Sequence, residues 1–175
     1  MKKSLPYAFL LLVFMSSCSP VIFKKTQPRD TEALRSIPAQ FIGTYVSEEE
    51  LKDTITINAH AFTSNGIPPI AGNMTDGKTV IKSLADNYIL NTSTGKYWET
   101  FIVRTTPNGL TVAGISFEEE KQTKLSKLES ITKVKQIKEK DHAKITYLIN
   151  PTKEEFEKIM ASGIFNQVMK FRRIK

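Results

Sequence analysis

The chain reads as a mainly β protein of the α+β class: an antiparallel sheet or small β-barrel with one C-terminal amphipathic helix packed on it. Three observations lead there. Ile55, Ile57, Ala59 and Ala61 alternate with Thr54, Thr56, Asn58 and His60, the period-two pattern of a strand with one buried and one wet face. Pro107-Asn108-Gly109 separates two runs rich in β-branched and aromatic residues, 96–106 and 110–117, and Asn-Gly tolerates the positive φ angles of a tight hairpin. One later segment carries the marks of both helix ends. Thr152-Lys153-Glu154-Glu155 forms a capping box, Phe156, Ile159 and Met160 make one apolar stripe, and Gly163 suits the stop.

The other elements follow in chain order. Residues 41–46 form an opening strand, closed by the charged turn Ser47-Glu48-Glu49-Glu50. Residues 64–79 read as a long loop, punctuated by Asn65-Gly66, Pro68-Pro69, Gly72 and Asp76-Gly77. A strand centred on Tyr88-Ile89-Leu90 lies within 80–91. In the hairpin that follows, Phe101 and Val103 share one face and Trp98 and Ile102 the other, so this strand is covered on both sides. Leu125, Leu128, Ile131, Val134 and Ile137 recur every three residues, a spacing that drifts around a helix. The expectation is a polar helix or loop near 118–130, a strand at 132–137, a turn at 138–141, a strand at 142–149 and a last strand within 166–174.

Composition narrows the chemistry. The 175 residues hold one Cys and two His, which excludes an intramolecular disulfide framework and any multi-cysteine metal site. His60 lies on the wet side of its strand, and His142 follows Asp141 at a turn. Glu48-Glu49-Glu50 and Glu118-Glu119-Glu120 flank strands, where charges ordinarily cap exposed turns. Neither a nucleophile–base pair nor a phosphate-cradling glycine loop is present. The expectation is a protein that is not an enzyme, with no catalytic residue, metal or cofactor. Positive charge gathers between Lys121 and Lys144, with eight Lys against three acidic residues. That stretch reads as a solvated face, with no nucleic acid as partner.

The N-terminus has the marks of export. Lys2 and Lys3 precede a short apolar run from Leu5 to Met15, and Met15-Ser16-Ser17-Cys18 follows. The run is far shorter than the roughly 20 residues a membrane span needs. The four residues resemble the lipobox of bacterial membrane lipoproteins, with Met15 where that family prefers Leu. The resemblance implies a signal peptide at 1–17 and a thioether from Cys18 to a diacylglycerol, chemistry that suits a thiolate nucleophile. It also implies attachment to the lipid bilayer, and Ser19 in place of Asp directs the expectation to the outer membrane of a diderm bacterium. Residues 18–40, with Pro20, Pro28 and Pro38 among scattered charges, then read as a flexible tether, and 41–175 as a single β-rich domain.

Gly43-Thr44-Tyr45 resembles the G-x-W motif on the first strand of lipocalins, with Tyr45 in place of the Trp. That resemblance implies a barrel carrying a small apolar ligand, for which Trp98, Phe101 and Tyr88 are the candidate contacts. Two readings therefore stand: a lipid-anchored module that binds an envelope protein partner, and a lipocalin-like carrier of a small apolar ligand. For the anchor, Cys18→Ala is expected to leave an unprocessed precursor that incorporates no labelled palmitate, read by autoradiography. Unchanged labelling would refute the lipobox reading.

Overall fold

A computed structural model describes residues 21–49, 53–66, 70–117, 120–138 and 145–175. Among these residues the strands are β1 (Val21–Phe23), β2 (Gly43–Ser47), β3 (Thr54–Ile57), β4 (Ala61–Ser64), β5 (Ala71–Asn73), β6 (Thr79–Leu84), β7 (Asn87–Ser93), β8 (Trp98–Thr106) and β9 (Gly109–Gly114). Helix α1 (Lys121–Ile131), β10 (Val134–Lys138), β11 (Ile145–Ile149), α2 (Lys153–Ala161) and β12 (Gln167–Arg173) complete the chain. The predicted mainly β class holds, with α2 in the predicted place. Its Thr152 hydroxyl accepts from the Glu155 N–H at 3.2 Å and the Glu155 carboxylate accepts from the Thr152 N–H at 2.9 Å.

Several expectations change in detail. The period-two run breaks into the hairpin β3–β4, because the Asn58 side chain accepts from the His60 and Ala61 N–H groups at 2.9 and 2.8 Å and diverts the backbone into a turn. The strand expected within 80–91 is the hairpin β6–β7, turning at Ala85 with φ of 50°. The loop at 64–79 contains β5. The threefold recurrence spans two elements: Leu125 and Leu128 are buried from α1, while Val134 and Ile137 belong to β10. The helix or loop expected near 118–130 is thus a helix, α1, alongside the C-terminal one.

The strands β6-β7-β8-β9-β12-β2-β3-β4-β5 form one antiparallel ladder. This ladder curls without closing, so the barrel alternative is not realised. Gly72 of β5 nonetheless lies so close to the start of β6 that a Cβ there would come within 2.8 Å of Thr79 Oγ1 and 2.4 Å of the Phe62 ring. Strand β8 is the hub. One edge pairs with β7, and the other pairs with β1 at Trp98 and with β9 from Ile102 onward. Beyond β1 lie β11 and β10, and β1 runs parallel to β11 with Val21 opposite Tyr147. The sheet is therefore mixed, not purely antiparallel.

Two cores lie on its opposite faces. One packs Phe23, Ile89 and Ile102 under Leu128, Phe156 and Ile159 of the helices. The other gathers Ile37, Phe41, Tyr45, Ile55, Ile81, Leu110 and Phe171. Each contains residues of the segment 18–40 that reads as a tether in the sequence. Val21, Ile22, Phe23 and Ile37 are all buried, Phe23 completely, and burying one such side chain contributes about 1.5–3 kcal/mol. Residues 21–40 are thus part of the folded body. Their prolines and charges imitate a linker, while the pairing that makes β1 a strand comes from far along the chain.

Buried polar groups hold this segment in place. Asn91 accepts from the Gln27 N–H at 2.7 Å and from the Thr100 hydroxyl at 3.0 Å, and donates to the Gln27 carbonyl at 2.8 Å. Phe23→Ala is expected to lower unfolding stability by about 3–5 kcal/mol, measured by urea denaturation. A loss near zero would return 21–40 to the status of a tether.

Candidate apolar ligand cavity

Strand alternation decides which side chains reach the concave face of the ladder. On β8, Glu99, Phe101 and Val103 point into it, while Trp98, Thr100 and Ile102 point toward the helices. Register extends this parity into cross-strand rows. Thr79, Thr92 and Glu99 form one row, Ile81, Leu90 and Phe101 the next, and Tyr88, Val103, Val112 and Met169 a third. Ile55, Ile57 and Phe62 of β3 and β4 face these rows across a cavity of about 190 Å³.

Residues 33–41 cover the remaining gap between β6 and the β3–β4 hairpin. Ala33 bridges Lys82, the Leu34 N–H donates to the Ile81 carbonyl at 2.8 Å, and the Ile37 N–H donates to the Ala59 carbonyl at 2.8 Å. This strap lowers Ile37, Pro38 and Phe41 onto the cavity. The Phe41 ring meets Tyr88 edge-on at 4.9 Å, a favoured aromatic geometry.

The far end of the strap is clamped by Tyr45 and Arg173. Tyr45 donates its hydroxyl to the Phe41 carbonyl at 2.9 Å. The Arg173 guanidinium lies 5.3 Å above the Tyr45 ring and donates to the Gln40 and Ile42 carbonyls, a cation–π contact reinforced by hydrogen bonds. Gly43, two residues before Tyr45, has φ of +153°, and a Cβ there would lie 2.5 Å from the Lys175 carbonyl oxygen. Only glycine fits where the chain's last residues cross β2.

The near end is held by Lys82, which is 7% exposed and donates from Nζ to the Pro28 carbonyl at 2.9 Å. Burial pushes this ammonium below the usual lysine range, and the Asp30 carboxylate opposes the shift.

Of the three predicted ligand contacts, the structure brings Tyr88 and Phe101 together on the cavity wall. Trp98 stands apart, packed against the helix-side core, because its parity on β8 is opposite to that of Phe101. No local signal marks the strap residues as cavity lining, because their composition is that of a linker. For Glu99 the sequence does carry a signal, since it shares the parity of Phe101 two positions away.

The other candidates lie elsewhere. His60 is exposed in the β3–β4 turn, and Glu48 and Glu49 are exposed after β2. Glu120 precedes α1. Cys18, Glu50, Glu118, Glu119, Asp141 and His142 fall outside the described residues. Within the basic stretch, Lys121 lies 5.6 Å above the Tyr147 ring and Lys127 bonds to the Ser162 carbonyl. Among the described residues, no group of three His, Cys, Asp or Glu side chains is placed to hold a metal, and no helix is long and apolar enough to cross a membrane.

A lysine whose pKa is lowered on folding leaves the unfolded chain with more bound protons in the alkaline window below 10.5, so folding stability rises with pH there. The unfolding free energy of the native chain, minus that of Lys82→Met, is therefore expected to increase as pH is raised toward 10.5. A pH-independent difference in paired urea titrations would refute the burial of this charge. No family model matches the chain, and neither a curated protein nor a solved structure matches it.

Proposed function

We propose that this protein is a lipid-anchored binding protein of the cell envelope whose curled sheet holds a small apolar ligand without chemically altering it. The observation that carries this reading is the cavity of about 190 Å³, walled by aliphatic and aromatic side chains from eight strands and the strap. An apolar cavity of about 150 Å³ engineered into another protein stays dry and takes up benzene, so the volume suits a single ring or a short chain. The lining supplies hydrophobic transfer energy and shape, which is what a carrier requires.

The anchor in this reading is Cys18. Val21, the first residue of β1, follows it by three residue steps, with Ser19 and Pro20 between, and extended chain spans at most about 3.6 Å per residue. A lipid on Cys18 would therefore hold the sheet within about 10 Å of the headgroups. Apolar ligands concentrate in bilayers, and a domain riding on the surface meets them there. The protein-docking alternative has less support. Ile42, Ile70, Val168 and Ile174 are large, apolar and exposed, but they belong to separate elements, and a filled core would have favoured docking.

The test uses indole as a small apolar probe. Calorimetric titration of the intact chain in phosphatidylcholine nanodiscs, with empty nanodiscs as blank, is expected to show saturable one-site binding. Val112→Phe places a ring in the cavity. It is expected to weaken indole at least tenfold while leaving stability unchanged or raised by about 0.5–2 kcal/mol, the usual return for filling a cavity. Equal indole binding by Val112→Phe would overturn the proposal.

A further inference from the structure

The cavity is not uniformly apolar, and its one polar end carries information about the ligand. Thr79, Thr92 and Glu99 sit side by side across β6, β7 and β8, in register and on the concave face. The next row along the same strands is Ile81, Leu90 and Phe101. Polarity therefore changes abruptly within one residue pair. Glu99 is the one acidic or basic side chain on the described cavity wall. It is half-buried, and no described side chain pairs with its carboxylate.

A carboxylate accepts hydrogen bonds and donates none. It stands here among apolar walls where a solvated surface position would serve a purely structural residue better. From this we infer that the natural ligand is a small primary amine with an apolar body: the ammonium sits at Glu99 and Thr92, and the ring or chain lies along Leu90 and Phe101. This inference rests on the cavity being a ligand site and adds the chemical class of the ligand.

The physical argument weighs three head groups. An ammonium offers three donors to the Glu99 oxygens and the Thr92 hydroxyl, and a charge-assisted hydrogen bond is about twice as strong as a neutral one. A hydroxyl head offers one donor to these acceptors and carries no charge. A carboxylate head meets like charge and pays desolvation without a partner. Because Glu99 is only half-buried, the ion pair keeps part of its hydration and avoids the heavy penalty of a fully buried pair. The size of the cavity sets the body at about one ring with a short arm.

Three matched probes test this: 2-phenylethylamine, 2-phenylethanol and 3-phenylpropionate. They are titrated calorimetrically into the intact chain in phosphatidylcholine nanodiscs, against empty nanodiscs. The amine is expected to bind at least tenfold more tightly than the alcohol, and the carboxylate more weakly than either. Glu99→Gln, an isosteric change at a half-exposed position, is expected to bring the amine to within about threefold of the alcohol while leaving the alcohol unchanged. If amine and alcohol bind equally and Glu99→Gln alters neither, this inference falls while the apolar site stands. If no probe binds and indole is also refused, the site itself falls.

Discussion

Every extended strand shows alternate side chains to opposite faces, and β8 must satisfy a separate core with each set. Trp98 and Ile102 lie under the helices, while Phe101 and Val103 form the wall of the cavity. The same strand pairs with β7 along one edge and with both β1 and β9 along the other. A slip of one residue would exchange its faces. Glu99 and Phe101 would then meet the helix layer, and Trp98 would fill the cavity. The helix layer, the cavity and the placement of the N-terminal strand all depend on this one register.

The segment before β2 serves both faces in turn. Phe23 anchors it in the helix-side core, with its ring edge-on to Phe156 at 6.1 Å. Ile37 and Phe41 then close the cavity on the other side. Between them, the backbone of Gln27 is locked to the Asn91 side chain and Pro28 to Lys82. Each such bond contributes only about 1 kcal/mol net, but leaving one partner buried and unpaired costs 1–3 kcal/mol. The bonds therefore specify one path across β6 more than they add stability. Gln27 Oε1 is the one buried side-chain acceptor among the described residues that lacks a partner.

In the proposed reading the two ends of this segment carry two functions. Its start follows the lipid attachment residue so closely that the domain has little freedom to leave the membrane surface. Its later part covers the ligand. Anchor and cover are then one continuous stretch of chain, and the cavity opens on a wall whose single charged residue selects among apolar molecules.

Local signals sufficed for much of the fold. The capping box at Thr152 and Glu155 satisfies itself within one turn, and the hairpin stands where Pro107-Asn108-Gly109 marked it, although Pro107 and Asn108 make the turn and neither Asn108 nor Gly109 takes a positive φ. The alternation in 98–103 already placed Trp98 opposite Phe101, which is how the structure divides them. Other features lay beyond local reading. Asn58 ends β3 through a side-chain turn that competes with an otherwise continuous pattern. Ala85 turns β6 into β7 without the glycine that would announce it. Three residues of β1 have no period of their own and become a strand only beside Tyr147 and Trp98. The cavity is the extreme case, because its walls come from strands and a strap distributed over most of the chain. Amino-acid order alone decided the β-rich class, the late helix, the faces of the central hairpin and the expectation of an anchor, since each rests on contacts within a few residues. The curl of the sheet, the fate of residues 21–40 and the meeting of Glu99 with an apolar chamber were decided by tertiary pairing, because those contacts join residues that no short-range pattern relates.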